Sequence, residues 1–131
     1  MRLIYLDSCL LIYAIENDPV RGDQVRRAIA GEAADAFAIS PLVQMECLVK
    51  PIGSADLGLQ LRYENALTAL FRLQLSESVF MLATQLRARL GLKTPDALHL
   101  ACAQHYGCAA LWTNDERLSK AACGLARNVC G

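Results

Sequence analysis

The sequence predicts an α/β fold, a parallel sheet of about four to five short strands flanked by helices. Three observations carry that prediction. Short apolar runs at 2–6, 36–39 and 109–112 suit strands buried on both faces. Longer stretches with apolar residues at helical spacing separate them. Two of those helices open on the same pair of residues, a capping side chain and then proline: Ser40-Pro41 and Thr94-Pro95.

In chain order, Arg2 to Leu6 is the first strand and Asp7-Ser8 ends it. Ser8 suits the N-cap of a helix from Cys9 to Glu16, with Leu10, Leu11, Ala14 and Ile15 on its apolar side. Asn17-Asp18-Pro19 breaks that helix, and Val25, Ala28 and Ile29 stripe the next. Ala36 to Ile39 is the second strand. The helix after Ser40-Pro41 carries Glu46 on one face with Leu42, Val43 and Val49, and Pro51-Ile52-Gly53 ends it. From Ser54 a longer helix places Leu57, Leu61, Leu67, Leu70 and Phe71 at helical spacing, and Leu73-Gln74-Leu75 suits a short strand. Ser76 to Leu90 is a further helix, striped by Val79, Leu82, Leu86 and Leu90 and closed by Gly91. A helix capped by Thr94 runs to Tyr106, and Gly107 turns the chain into a strand at Ala109–Trp112. Asn114 suits the cap of a short helix from Glu116 to Ala121, and Ala126 to Val129 is a last edge strand.

The 131 residues make one domain, 1–131, long enough to bury a sizeable core. Thirteen basic and thirteen acidic residues cancel, so no overall basic field announces a nucleic-acid partner. Such a partner would be held by local basic residues or by metal. The 54% hydrophobic fraction argues for a compact fold with an apolar surface patch used in association. The six cysteines form no CxxC pair and no Cys/His zinc spacing, which fits small thiols in a reducing compartment; pairing of Cys123 with Cys130 stays open. The N-terminal apolar run is too short for a secretory signal and is interrupted by Asp7. The uncharged run between Asp96 and Asp115 contains His99, Gln104, His105, Tyr106 and Gly107, which fits a buried helix, a turn and a strand rather than a membrane span. The expectation is a cytoplasmic protein with no membrane partner.

Four acids carry the chemistry. Asp7 ends the first strand, Asp115 follows the strand at 109–112, Asp96 lies in the first turn of a helix, and Glu46 lies in the second turn of another. In a parallel sheet the ligand site lies beyond the carboxyl ends of the strands, so these four converge on one crevice. Two have an ordinary explanation on their own: Asp96 suits a helix dipole, and Asp115 suits a cap or the surface. Glu46 on an apolar face does not, because an unpaired buried carboxylate is costly. Two like charges ~4 Å apart repel by about 1 kcal/mol in water and about 4 near a protein surface. A divalent cation relieves that repulsion, and oxygen ligands favour Mg²⁺ or Mn²⁺ over zinc. Such a metal activates water and stabilises charge on a phosphoryl group. His99, one turn beyond Asp96, is the histidine placed to assist, although a lone histidine on a packed helix is more often structural. Lys50, Lys93 and Arg117 lie close enough in sequence to steer phosphates, or are simply solvated charges.

Tyr5-Leu6-Asp7-Ser8, Glu46 in the helix after Ile39-Ser40, the segment from Leu92 to Ala101 (LKTPDALHLA), and Leu111-Trp112-Thr113-Asn114-Asp115 resemble the PIN-domain ribonucleases, and among them the small VapC toxins of toxin–antitoxin pairs. The resemblance runs from Met1 to about Leu118. It implies a PIN-like parallel sheet and Mg²⁺- or Mn²⁺-dependent endoribonuclease activity on RNA. Asp7, Glu46, Asp96 and Asp115 would be the catalytic, metal-binding quartet. It also implies a homodimer and a cognate antitoxin that covers the site. Many members have asparagine two residues after the first acid, whereas here that place is Cys9, a poor ligand for a hard cation. A non-toxin PIN-domain nuclease of RNA processing is one alternative. A metal-dependent phosphatase is another, although the haloacid type would want an aspartate where Cys9 stands. A non-catalytic PIN-like module would usually have lost one of the acids.

Overall fold

A computed structural model of the chain describes residues 2–33 and 36–130. Among the described residues, twelve elements follow one another: β1 (Ile4–Leu6), α1 (Ser8–Ile15), α2 (Gly22–Ala30), β2 (Phe37–Ile39), α3 (Pro41–Gly53), α4 (Leu57–Thr68), β3 (Phe71–Arg72), α5 (Glu77–Leu90), α6 (Thr94–His105), β4 (Ala110–Trp112), α7 (Glu116–Ala121) and β5 (Ala126–Arg127). The five strands make one sheet in the order β3-β2-β1-β4-β5, and every neighbouring pair is parallel. The α/β prediction with a parallel sheet of short strands therefore holds.

The strand order says where the site must be. The chain starts at the centre with β1, builds outward through β2 and β3, then crosses back to place β4 on the other side of β1. Between β1 and β4 the winding reverses, and such a reversal leaves a crevice at the carboxyl ends of the strands. Tyr5 pairs with Leu111 and Leu6 with Trp112 across that reversal. The central strands are buried throughout, as helices on both faces require, and Phe37 packs edge-on against Trp112 with ring centroids 5.2 Å apart.

Several boundaries differ from those the sequence predicts, each for a local reason. The third strand is Phe71–Arg72 rather than 73–75: Leu73 is a buried side chain whose N–H bonds Ile39 O at 2.8 Å. Phe71 is thus a half-exposed strand residue, not part of a helical stripe. On α4 the buried positions are Tyr63 and Leu67, while Leu57 and Leu61 face outward. That helix is capped by Asp56, whose side chain accepts from Leu59 N. α3 runs through Pro51 and ends at Gly53, within the Pro51-Ile52-Gly53 stretch expected to end it, but Val49 lies on its exposed side. Thr94 is the first residue of α6 and Lys93 occupies the cap position. Ser8 likewise lies inside α1, with Asp7 at the cap position. Asp115, not Asn114, caps α7. For α5 expectation and structure agree closely: Ser76 accepts from Val79 N, and Gly91 takes the left-handed conformation (φ 66°) that glycine favours at a helix end.

All six cysteines are free; Cys47, Cys102 and Cys108 are buried, and Cys123 is exposed. Among the described residues no helix is long and apolar enough to cross a membrane.

Candidate active site

Asp7 enters the crevice directly from the end of β1. Its backbone N–H bonds Trp112 O on β4 at 3.0 Å, which places its side chain at the reversal of the sheet. The carboxylate is buried (8% exposed) and is held from two sides. Thr113 donates its hydroxyl to Oδ2 at 2.6 Å, and the Ser8 hydroxyl reaches Oδ1 at 3.5 Å. Thr113 also accepts the backbone N–H of Asp115 at 3.0 Å. One buried threonine at the end of β4 therefore sets both aspartates. Asp115 uses Oδ1 to cap α7 through Leu118 N at 3.0 Å. The capping role expected as an alternative for Asp115 and its place on the crevice are both present.

Glu46 arrives from α3 and meets His99 of α6, whose Nε2 lies 2.7 Å from Oε1. His99 is almost fully enclosed (1% exposed), and its Nδ1 lies 2.7 Å from the Tyr5 hydroxyl, which in turn contacts Ser40 Oγ at 2.8 Å. Burial pushes the Glu46 carboxyl up, but the hydrogen bond and charge of His99 outweigh it and leave Glu46 below the ordinary range. Glu46 is then an ionised acceptor, so Nε2 carries the hydrogen. On the other side of the ring Nδ1 shares a hydrogen bond with the Tyr5 hydroxyl, which also bonds the Ser40 hydroxyl. Burial drives the Tyr5 hydroxyl well above its ordinary value, which keeps it a donor. Ser40, expected as a side-chain cap of α3, makes no such cap bond.

The four predicted acids line a single cavity of about 340 Å³: Asp7, Glu46, Asp96 and Asp115 share its wall with Cys9, Tyr13 and Asn114. Asp7, Glu46 and His99 offer ligand atoms within 4.8 Å of one another; Asp96 and Asp115 reach the cavity without joining that tight group. Burial raises the Asp96 carboxyl above its ordinary value, and the charges of Asp115 and Asp7 raise it further. Among the described residues no lysine or arginine lines the cavity to compensate. A cluster of carboxylate oxygens with no lysine or arginine among the described residues of its wall, one of them raised by its neighbours' charges, fits a hard divalent ion. Cys9 lies 3.6 Å from Asp7 Oδ2, and burial together with the Asp7 charge pushes its thiol up to about 12. It is a neutral thiol on this wall.

Of the cations singled out in the sequence, Lys50 is paired with Glu16 (Nζ to Oε1, 2.6 Å) and is turned to that use. Lys93 and Arg117 line a neighbouring cavity. Tyr5, Ser40 and Thr113 join the site although none of them was expected in it. Their signal is weak, because each is a hydroxyl in or beside a strand whose neighbours are apolar.

The fold and the crevice define a class: a parallel α/β domain with an acidic, oxygen-lined centre at its topological reversal. Residues 4–123 match the PIN domain family, and the chain belongs to it. No curated protein matches significantly. Among solved structures, FitAcB from Neisseria gonorrhoeae is similar at 19% identity, with a TM-score of 0.82 and coverage of 97% of this chain and 98% of that one. A toxin–antitoxin complex from Klebsiella pneumoniae is similar at 23% identity, with a TM-score of 0.77 and coverage of 96% and 97%. VapC20 from Mycobacterium tuberculosis, described as a sarcin-ricin-loop-cleaving toxin, is similar at 15% identity, with a TM-score of 0.77 and coverage of 93% and 95%. At these identities the likeness is one of fold.

Proposed function

We propose that this chain is a divalent-metal-dependent endoribonuclease, acting as the toxin of a toxin–antitoxin pair. The observation that carries the reading is the cavity lined by Asp7, Glu46, Asp96 and Asp115 with no lysine or arginine among the described residues of its wall. Membership of the PIN domain family and the likeness to toxin structures support it.

In this reading Asp7, Glu46, Asp96 and Asp115 hold Mg²⁺ or Mn²⁺, which supplies an activated water and charge stabilisation at a phosphodiester. The chain's own contribution is orientation. Thr113 holds Asp7 through Oδ2, and His99 holds Glu46 through Oε1, so two of the acids are fixed by buried donors. Asp96 stays the least compensated acid. The chain acts as a homodimer, and a small antitoxin restrains it by placing a basic side chain among the four acids. Arginine suits that role, because its planar fork bonds two carboxylates at once.

The test is cleavage of RNA by the purified protein with Mn²⁺, with Mg²⁺ and in excess EDTA. Activity should need the metal and vanish in Asp7→Asn and Asp96→Asn variants that remain folded by circular dichroism. Cleavage that persists unchanged in EDTA overturns the metal mechanism. For the partner, replacing its inserted basic residue by Ala should restore cleavage at least partly while the complex persists.

A further inference from the structure

Beside the acidic crevice lies a second cavity, of about 490 Å³, whose wall is basic: Lys93, Arg117 and Lys120 line it. Its volume falls in the range of small-ligand sites, roughly 300–1,000 Å³. Asp96 lines both cavities, so the basic site directly adjoins the acidic one. Leu90 and Leu92 supply an apolar part of the lining.

Two features set these cations apart. First, they are three of the nine lysines and arginines with no acid within ion-pair distance among the described residues, and these three gather on one cavity. Second, they come from separate places in the chain. Lys93 is the residue before α6, which carries Asp96, and Arg117 and Lys120 lie on α7, which Asp115 caps. The chain has equal numbers of acidic and basic residues, so the gathering of three unpaired ones is local rather than a consequence of net charge.

We propose that this cavity binds a phosphate of the RNA strand adjacent to the one being cleaved, with the sugar and base of that nucleotide against Leu90 and Leu92. The inference rests on the nuclease reading above and adds the substrate contact. A polyanion approaching four carboxylates is repelled unless cations flank the path. Asp96, as the wall between the two cavities, sets the flanking phosphate next to the reacting one. Because phosphate contacts position a strand without reading it, the site should act on all sequences alike.

The experiment measures affinity for a short fluorescein-labelled single-stranded RNA in EDTA, by anisotropy over a range of salt, and KM and kcat in Mn²⁺. The variants are Lys93→Ala/Arg117→Ala/Lys120→Ala, its charge-keeping counterpart Lys93→Arg/Arg117→Lys/Lys120→Arg, and Arg27→Ala as a cation outside the cavity. In the alanine triple variant, affinity should fall by about tenfold, and the slope of log affinity on log salt should shrink by about 0.7 for each phosphate no longer neutralised. KM should rise with kcat largely kept, while the charge-keeping variant recovers most of the affinity and salt slope and Arg27→Ala stays near wild type. All three side chains are exposed, so folding should survive, as thermal melts would verify. An alanine triple variant with unchanged affinity, salt slope and KM overturns the proposal, including where the cavity instead takes an acidic peptide. Wild-type protein that binds RNA with the expected variant effects yet never cleaves it breaks the nuclease reading and leaves the phosphate site standing. Wild type that binds no RNA overturns both.

Discussion

Nε2 of His99 stands 2.7 Å from Oε1 of Glu46, and this bond ties an acid of the crevice to the buried interior of the domain. Behind it, Tyr5 and Ser40 continue the chain of hydroxyls to the start of α3. The strand, the helix that carries Glu46 and the helix that carries Asp96 are therefore linked by one buried polar network.

Tyr5→Phe tests that network. The ring remains and only the hydroxyl is lost, leaving His99 Nδ1 and Ser40 Oγ enclosed without that partner. The stability loss should be about 1–3 kcal/mol, the usual penalty for stranding a buried polar group, measured by urea denaturation. His99→Ala should lower metal affinity or cleavage by about 10- to 100-fold, because Glu46 loses its orienting donor. Wild-type urea midpoints and wild-type cleavage in both variants would show that the network orients nothing.

Asp96 makes a different prediction. Burial and the charges of Asp115 and Asp7 raise its pKa, so the ionised form is disfavoured in the folded protein. An acid raised on folding lowers stability as pH climbs past its ordinary value, so metal-free protein at neutral pH carries that strain. Asp96→Asn should stabilise the protein in EDTA by up to about 1 kcal/mol, seen as a few degrees in melting temperature. Addition of Mn²⁺ should then stabilise the wild type more than the variant. A metal-free Asp96→Asn protein that melts well below wild type would assign the residue to folding.

What the sequence could and could not disclose divides along physical lines. Strand–helix alternation is periodic in apolar residues, and so the parallel sheet was legible. The acids were legible as a set because carboxylates in apolar surroundings have few ordinary uses, and the structure places all four on one cavity. Cap identities were not, since Thr94 or Lys93, and Asn114 or Asp115, are adjacent residues that differ only by where the first helical turn begins. The stripe of α4 is ambiguous for a similar reason: leucine is frequent on both of its faces, and only packing decides that Tyr63 and Leu67 point inward. The role of His99 depends on residues 53 and 94 positions away, a proximity no spacing encodes.

Glu16 predicts a pH dependence. Hydrogen bonds from Lys50 (2.6 Å) and from the Tyr63 hydroxyl (2.5 Å) hold its carboxyl below the ordinary carboxylate range and join α1 to α3 and α4. A carboxyl lowered on folding stabilises the protein above its unfolded pKa, and that contribution is lost as pH falls through the folded value. Stability should therefore decline between about pH 5 and pH 3, and Glu16→Gln should flatten part of the decline. Equal slopes in the two proteins, followed by chemical denaturation at several pH values, would remove Glu16 from the account.

Thr113 supports the last prediction. Its hydroxyl donates to Asp7 Oδ2 at 2.6 Å and accepts Asp115 N–H at 3.0 Å, and the residue is fully enclosed. Thr113→Val keeps the shape but removes both bonds, leaving a buried carboxylate oxygen without its closest donor and a backbone N–H without its acceptor. The expected loss is about 1–3 kcal/mol of stability. Thr113→Ser retains the hydroxyl and should recover most of it. The two variants also separate folding from catalysis. If the hydroxyl fixes Asp7 for metal, the Val variant should need more Mn²⁺ for half-maximal cleavage at temperatures where it is still folded, and the Ser variant should not. An unchanged Mn²⁺ requirement in Thr113→Val, despite the stability loss, would confine Thr113 to holding the ends of β1 and β4 together.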